Sequence, residues 1–112
     1  MKRSEIWTLR DDNYASKARP VVIVQSDTIE EFESVVVALL TTFERPSALT
    51  RVVIEPSDST GLEKTSYVMT EKLLTVRRSE LRKHVGTLDQ DRMRQIARAI
   101  ATVLAISKED LD

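Results

Sequence analysis

The segment KARPVVIVQSD, residues 17–27, predicts one of the strands on which the fold is built. Residues 21–24 are all β-branched and are bounded by turn-forming residues, a pattern typical of a buried strand. Pro20 suits the start or edge of a strand because it lacks an N–H and has a fixed φ. It also favours an extended conformation at Arg19. The segment therefore predicts a strand over 19–25 that holds the Arg19 guanidinium at its rim.

The composition is that of one globular domain spanning residues 1–112. The chain has 112 residues, of which 41% are hydrophobic and 31% charged, and this balance supports one modest core. The formal net charge is −1. General affinity for nucleic acid or membranes is therefore not expected, and any polyanion site must be a local cluster.

Several classes of site are excluded by residue content. The chain has no cysteine, which rules out disulfides and thiolate chemistry, and its single histidine provides no histidine cluster. We therefore expect neither a metal site nor a cofactor. No apolar stretch approaches the roughly 20 residues of a membrane span. The first residues, MKRSEIWTLRDD, lack the apolar core of a signal peptide, so we expect a cytoplasmic protein.

Short strands and one helix account for most of the chain. Strand patterns cover 5–9, 34–41 and 50–55, then 66–70 and 73–77 joined across 71–72, and a weaker segment at 82–87. A helical turn is expected within 27–33. Helical spacing predicts a helix over 89–105 with Asp89 as N-cap, and a frayed tail follows. Its apolar face comprises Met93, Ile96, Ala97, Ile100, Val103 and Leu104. This order suggests a small, mostly β barrel or sheet covered by one helix.

Few residues carry a recognisable catalytic motif. The two glycines, Gly61 and Gly86, exclude a P-loop and a dinucleotide fingerprint. His84 is a conceivable general base, but it lies in the basic run RRSELRKH, and an ordinary half-exposed strand residue is the favoured interpretation. The basic run itself is by default a solvated face. Its alternative interpretation is a track for a phosphate backbone.

The order of four segments resembles the MazF/PemK family of toxins, which are ribosome-independent mRNA interferases. The segments are RSEIW at 3–7, ARPVVIVQSD at 18–27, VVVALLT at 35–41, and residues 66–106, which contain Gly-x-Leu before the amphipathic helix. The resemblance implies a mainly β fold, a small SH3-like (CcdB/MazF-type) β-barrel with a C-terminal α-helix. It also implies a metal-independent, sequence-specific endoribonuclease that cleaves single-stranded mRNA through attack of the 2′-hydroxyl.

The resemblance assigns two catalytic residues, Arg19 and Thr41. Charge builds on the phosphoryl oxygens during such cleavage, and a guanidinium fork with a hydroxyl can stabilise it. Arginine is a poor general base, so Arg19 is assigned to transition-state stabilisation and the proton acceptor is left open. The alternative is structural: Arg19 would form a rim salt bridge with Asp27 or Glu71, and Thr41 would simply end a strand.

RNA-binding candidates surround this pair. Lys17 and Lys72 are the cationic candidates, Thr42 follows Thr41, and Tyr14 and Phe43 are possible platforms for base stacking. Phe43 could equally be a buried anchor of its loop. The sequence departs from the family at three places: Ser4 replaces a glycine, Lys72 stands where a glutamine is common, and the loop RDDNYASKA before Arg19 is short. Asp11 or Asp12 could supply the acidic residue of that loop.

Partners and alternatives also follow from the resemblance. A homodimer is expected from the family's habit and from the apolar runs VVIV and VVVALL. A cognate antitoxin with an acidic C-terminal tail should cover the RNA groove. Two alternatives remain open. One is a CcdB-like, non-enzymatic toxin that binds DNA gyrase, although this chain ends in SKEDLD rather than in that family's Trp-Gly-Ile. The other is an inactive relative that only binds an antitoxin.

Overall fold

A computed structural model describes residues 1–10, 19–45 and 49–112. Its strands are β1 (Glu5–Leu9), β2 (Arg19–Ile23), β3 (Ser34–Thr41), β4 (Arg51–Ile54), β5 (Ser66–Arg77) and β6 (Leu81–Thr87), and its helix is α1 (Gln90–Val103). Short 3₁₀ helices cover Arg78–Glu80 and Lys108–Leu111. The six strands form one antiparallel sheet in the order β4-β5-β3-β2-β1-β6. In the described part of the chain, no helix is long and apolar enough to cross a membrane.

The mainly β fold with a C-terminal helix is confirmed, with four corrections. The sheet is open, because β4 and β6 are its two edges among the described residues, whereas a barrel would join them. The two short strands expected around residues 71–72 are one strand, β5, with a bulge where Leu39 pairs with Met69 but Ala38 pairs with Leu73. Turns and bends replace the helical turn expected within 27–33. The predicted frayed tail instead contains the second 3₁₀ helix.

Two apolar clusters lie on opposite faces of the sheet. One joins Val22, Ala38 and Leu40 to the inner face of α1, and the other contains Val21, Val37 and Leu39 with Leu81 of β6. All of these side chains are buried within a single chain. The apolar side chains of β2 and β3 are therefore buried on both faces of the sheet without a second subunit. They no longer argue for a homodimer, which stays a prediction from family resemblance.

The helix begins and ends as capping rules require. The Asp89 side chain accepts a hydrogen bond from the Arg92 N–H at 2.8 Å, which confirms the predicted N-cap. Ala105 has a φ of 55°, and the Ile106 N–H bonds to the Ala101 carbonyl at 2.8 Å, as in a Schellman motif. The buried residues are Met93, Ile96 and Ala99. The predicted face was wrong for Ala97 and Leu104, which are exposed: Ala97 is one position past the buried Ile96 and so turns away from the sheet, and Leu104 follows the last helical residue.

The opening segment RSEIW anchors the sheet at the end of β2 that lies away from Arg19. The Arg3 guanidinium donates to the Val24 carbonyl, and the Arg3 backbone N–H donates to Asp27 at 2.8 Å. Ile6 is fully buried, whereas Trp7 packs on the opposite face and stacks on His84 with ring centroids 5.2 Å apart. This stack supports the ordinary interpretation of His84 as a strand residue.

Candidate active site

The first residue of β2 and the last residue of β3 lie at the same end of the sheet. Val21 pairs with Leu39 and Ile23 with Val37, so each step toward the start of β2 is matched by a step toward the end of β3. The β2–β3 pairs end at Val21 and Leu39, and the same register continued by two residues would place Arg19 opposite Thr41. Residues directly opposite in a sheet share a face and have Cβ atoms about 5 Å apart. The two predicted catalytic residues therefore lie at the same end of adjacent strands, although the sequence separates them widely.

The Thr41 hydroxyl is oriented by its own backbone. Its oxygen accepts a hydrogen bond from the Phe43 N–H at 3.1 Å. A hydroxyl has one proton to donate and two lone pairs, so this bond leaves the Thr41 proton available for an acceptor. Thr41 and Arg19 are both half-buried. A phosphoryl oxygen placed between them could accept from both side chains.

The carboxylates proposed as structural partners of Arg19 are engaged elsewhere. Glu71 accepts from Arg51, with 2.6 Å between Nη2 and Oε2 and 3.0 Å from Nε to each carboxylate oxygen. Asp27 follows the other end of β2, where it accepts from the Arg3 N–H. Glu71 and Asp27 thus each hold a contact of the fold itself.

Lys72 lies in the bulge of β5, beside Glu71. The bulge is tied to the turn before β4, because the Thr70 hydroxyl donates to the Thr50 carbonyl at 2.6 Å and the Thr50 hydroxyl donates to Glu71 at 2.9 Å. Partial burial raises the pKa of Glu71, but the bonds from Arg51 and Thr50 outweigh it and the pKa is lowered. Glu71 is thus held as a carboxylate, while the adjacent Lys72 is exposed to solvent.

The remaining RNA-binding candidates divide between exposed and undescribed residues. Thr42 is exposed, and Phe43 has 68% of its surface exposed. That exposure argues against Phe43 as a buried loop anchor and leaves its ring accessible for stacking. Tyr14 and Lys17, together with Asp11 and Asp12, lie outside the described residues. In the described ranges, no group of three or more His, Asp or Glu side chains is arranged to hold a metal ion.

Sequence reasoning missed Tyr67, a residue of β5 that pairs directly with Thr41 of β3. Tyr67 also pairs with Val53 on β4, so it lies between the catalytic end of β3 and the sheet edge. We name the surrounding open cavity of about 400 Å³ the Tyr67 pocket; its wall includes Glu44, Arg45, Arg51, Glu55 and Thr65. Burial, Glu44 and Glu55 raise the pKa of the Tyr67 hydroxyl. In the sequence, Tyr67 is simply an aromatic residue near the start of a strand. Its position opposite Thr41 becomes visible only from the pairing of β3 with β5.

Comparison with known proteins identifies the family. Residues 2–104 match the family described as "PemK-like, MazF-like toxin of type II toxin-antitoxin system". The chain is 38% identical over 108 residues to a protein named "Probable endoribonuclease MazF" from Mycolicibacterium smegmatis, covering 96% of this chain and 99% of that relative.

Solved structures agree with the sequence comparison. An endoribonuclease in complex with its cognate antitoxin, from a mycobacterial species, is 27% identical with a TM-score of 0.80, covering 96% of this chain and 97% of that one. The Mycobacterium tuberculosis toxin MazF-mt6 is 26% identical with a TM-score of 0.79, covering 92% of this chain and 98% of that one. The chain therefore belongs to the PemK-like, MazF-like family of toxins of type II toxin–antitoxin systems.

Proposed function

We propose that this toxin cleaves single-stranded RNA through attack of the substrate's own 2′-hydroxyl, with Arg19 and Thr41 as catalytic residues. The chain is an endoribonuclease of the MazF type, as are the relatives to which it is similar. The observation that supports the site assignment is the antiparallel pairing of β2 and β3, in which Arg19 begins one strand and Thr41 ends the next at the same end of the sheet.

Arg19 acts on the charge that develops in the transition state. A planar guanidinium can donate two parallel hydrogen bonds to phosphoryl oxygens, which a lysine ammonium cannot reproduce. Preorganised donors of this kind are worth about 3–4 kcal/mol of barrier, or a few hundredfold in rate. The nucleophile belongs to the substrate, so the reaction does not depend on a metal-bound hydroxide. The acceptor of the 2′-hydroxyl proton is not assigned.

Thr41 supplies a second donor. Its oxygen already accepts from the Phe43 N–H, which fixes the hydroxyl and leaves its proton for a phosphoryl oxygen. Removal of a hydrogen bond to a charged group costs about 1.5–3 kcal/mol, so Thr41→Val should lower the cleavage rate about 10- to 100-fold. The valine keeps the shape of the side chain, so folding should be unaffected.

The experiment is cleavage of a long RNA in EDTA by the purified wild-type protein, followed by cleavage of oligonucleotides that carry one 2′-deoxy sugar. We expect cleavage in EDTA. A deoxy sugar immediately 5′ of the scissile phosphate should block cleavage while binding persists. Normal cleavage of that oligonucleotide would refute the 2′-hydroxyl mechanism. Arrest of DNA gyrase without RNA cleavage would instead favour the CcdB-like alternative, and absence of both activities would favour the inactive relative.

The RNA groove extends from the catalytic pair to exposed side chains. We assign Thr42, Phe43 and Lys72 to RNA binding because they are exposed near the end of β3 or beside it on β5. Tyr14 and Lys17 are assigned by resemblance alone. Single strands are the expected substrate because base recognition requires unstacked bases. Equal cleavage of a perfect duplex would contradict this assignment.

We also propose that the toxin is a cytoplasmic homodimer inhibited by a cognate antitoxin with an acidic C-terminal tail. One similar structure is of an endoribonuclease with its cognate antitoxin, which supports such a partner here. Inhibition should weaken with added salt, since the contact would be electrostatic. Sedimentation showing only a 12.7 kDa species at micromolar concentration would contradict the dimer.

A further inference from the structure

We propose that the Tyr67 pocket binds the base of a nucleotide flanking the scissile phosphate, and that it prefers guanine. This inference rests on the proposed function, because it assigns a base subsite beside the same catalytic pair. Tyr67 pairs with Thr41 across β3 and β5. Cβ atoms of directly opposed residues are about 5 Å apart, so a base on Tyr67 can belong to a nucleotide adjoining the phosphate at Thr41.

The charges of the pocket favour a neutral base over a phosphate. Glu44 and Glu55 lie in its wall beside Tyr67 together with Arg45 and Arg51, so the carboxylates offset the guanidinium groups and the pocket has no excess positive charge to attract a phosphate. The two carboxylates also help to raise the pKa of the Tyr67 hydroxyl, after the larger effect of burial, so the phenol remains neutral. A neutral aromatic ring is a stacking surface for any base. Phosphate would therefore lie at Arg19 and the base at Tyr67.

Glu55 is the acceptor that can distinguish bases. Its Oε2 accepts from the Thr65 hydroxyl at 3.1 Å, which fixes the carboxylate at the mouth of the pocket. A carboxylate has about four lone-pair sites, so one such bond leaves capacity for a ligand. Glu55 is exposed, and a base in the pocket can therefore reach it.

Guanine is the base that matches a carboxylate with two bonds. Its Watson–Crick edge presents two adjacent donors, N1–H and the N2 amino group. The other bases offer an acceptor next to their donor, which a carboxylate would repel. The opposite edge of guanine presents the acceptors O6 and N7, to which arginine is the commonest partner. Arg51 uses Nε and Nη2 for Glu71, so its Nη1 is not needed for that ion pair and can serve O6 or N7.

The test maps cleavage sites in a random RNA pool for the wild type, Glu55→Gln, Tyr67→Phe and Tyr67→Ala. We expect the wild type to prefer guanine at one position flanking the cut by about 5- to 100-fold, as a bidentate base contact provides. Glu55→Gln should reduce this preference to about threefold or less. Glu109→Gln, an exposed carboxylate in the C-terminal 3₁₀ helix, should leave it unchanged.

Inosine isolates the contact with the guanine amino group. Replacing guanosine with inosine at the preferred position should weaken wild-type cleavage, and should have little effect on Glu55→Gln. Tyr67→Ala should raise KM about tenfold through lost stacking, whereas Tyr67→Phe, which keeps the ring, should raise it much less. If Tyr67→Ala fails to fold, Glu55→Gln and the inosine substrate still decide the proposal.

Outcomes for the pocket and for catalysis are separable because binding is measured on non-cleavable 2′-deoxy oligonucleotides as well. A wild type that does not cleave refutes the proposed function, while guanine-over-inosine preference in binding still tests the pocket. Equal guanine preference in the wild type and Glu55→Gln, or indifference to inosine, would overturn the inference. The inference would also be overturned if the pocket variants kept the wild-type cleavage-site preference but lost binding to an antitoxin peptide. The acidic pocket residues would then bind a cationic side chain of that peptide instead of a base.

Discussion

The two ends of the β2–β3 pair both carry arginine, and they use it differently. At the end near Ile23, the Arg3 guanidinium donates to the Val24 carbonyl and thereby satisfies the protein's own backbone. At the opposite end, Thr41 accepts from the Phe43 N–H and keeps its proton, and Arg19 begins the neighbouring strand. The same type of side chain can therefore serve different roles, depending on the groups around it. The arginine at one end completes the fold, whereas the arginine at the other end is the one proposed to act on a substrate.

The largest expected effect of this division is loss of activity without loss of stability at the Arg19 end. Arg19→Ala should reduce RNA cleavage at least a few hundredfold, because it removes a donor aimed at developing phosphoryl charge. Its free energy of unfolding should stay within about 1 kcal/mol of the wild type, because a charged side chain at the rim of a sheet contributes little to folding. Arg19→Lys should recover part of the lost activity. Cleavage rates and urea unfolding measure the two effects separately.

Arg3→Ala is the matched control at the other end. It removes a part-buried bond to a backbone carbonyl, so it should lower the free energy of unfolding by about 1–2 kcal/mol. Cleavage per folded molecule should be retained. Exchange of these outcomes, with Arg19→Ala unfolding the protein and Arg3→Ala abolishing cleavage, would reverse the roles of the two ends.

The second largest effect concerns the turn that packs on β6 beside the structural end. Gly61 has a φ of 69°, and a Cβ there would lie 2.0 Å from the Val85 carbonyl oxygen. Gly61→Ala therefore combines a left-handed conformation with a backbone clash, and should cost about 2–4 kcal/mol of unfolding free energy. Thermal unfolding of the purified variant measures this cost. A variant as stable as the wild type would mean that the turn relaxes freely and is not part of the rigid end.

The sequence allowed most of the fold to be predicted, because period-two and helical patterns are local properties. β1 and β3 begin and end at the predicted residues, and Asp89 caps the helix as expected. The long β5 was missed because its bulge carries the polar pair Glu71 and Lys72, which locally resembles a turn. The end of β2 at Ile23 was missed, because the apolar run continues to Val24, one residue beyond the last paired residue of the strand.

The site was only partly predictable, since it depends on register. Arg19 and Thr41 came from resemblance, and the pairing of β2 with β3 now gives a physical reason for their proximity. Tyr67 could not be found, because its importance comes from lying opposite Thr41. The Arg51–Glu71 ion pair could not be found either, because it joins two strands whose pairing the sequence does not specify.

A smaller effect sharpens the comparison by testing a structural pair at the catalytic end. The pKa of Glu71 is lowered in the folded protein: burial opposes this shift, but the bonds from Arg51 outweigh it. A lowered pKa stabilises the fold above the ordinary value of 4.5, and that contribution is lost as pH falls through the lowered value. Glu71→Gln should therefore lose up to about 1 kcal/mol at pH 7, and less at pH 3, because the carboxylate is partly exposed.

Urea unfolding of the wild type and Glu71→Gln at both pH values measures this dependence. Glu63→Gln is a suitable control, since that residue is exposed. A difference between wild type and Glu71→Gln that is the same at pH 3 and pH 7 would show that the ion pair adds no pH-dependent stability. Retained cleavage at pH 7 would show that the Glu71 carboxylate is not required for the reaction itself.

The smallest effect concerns Ser4, at the structural end, where the family glycine is replaced. Ser4 has a φ of 82°, and its backbone is held on both sides by bonds of 2.9 Å, from its N–H to Ile23 and from the Leu88 N–H to its carbonyl. A left-handed conformation costs a residue with a Cβ about 1–2 kcal/mol. Glycine avoids that cost but loses about 0.5–1 kcal/mol through backbone entropy. Ser4→Gly should therefore stabilise the protein by about 0.5–1 kcal/mol, raising Tm by about 2–6 °C.

Ala105→Gly tests the same reasoning at the helix end, since its φ of 55° is the other left-handed conformation of a non-glycine residue in the described ranges. It should also stabilise the protein, because glycine is the preferred residue at that position of a Schellman motif. Ser79→Gly, in the 3₁₀ helix Arg78–Glu80, should destabilise it instead, because it gains flexibility without relieving a positive φ. If Ser4→Gly behaved like Ser79→Gly, backbone strain would not explain the glycine that the family has at this position. If Ser4→Gly stabilises the fold and leaves cleavage unchanged, the stability of the structural end can be raised without affecting the end proposed to bind RNA.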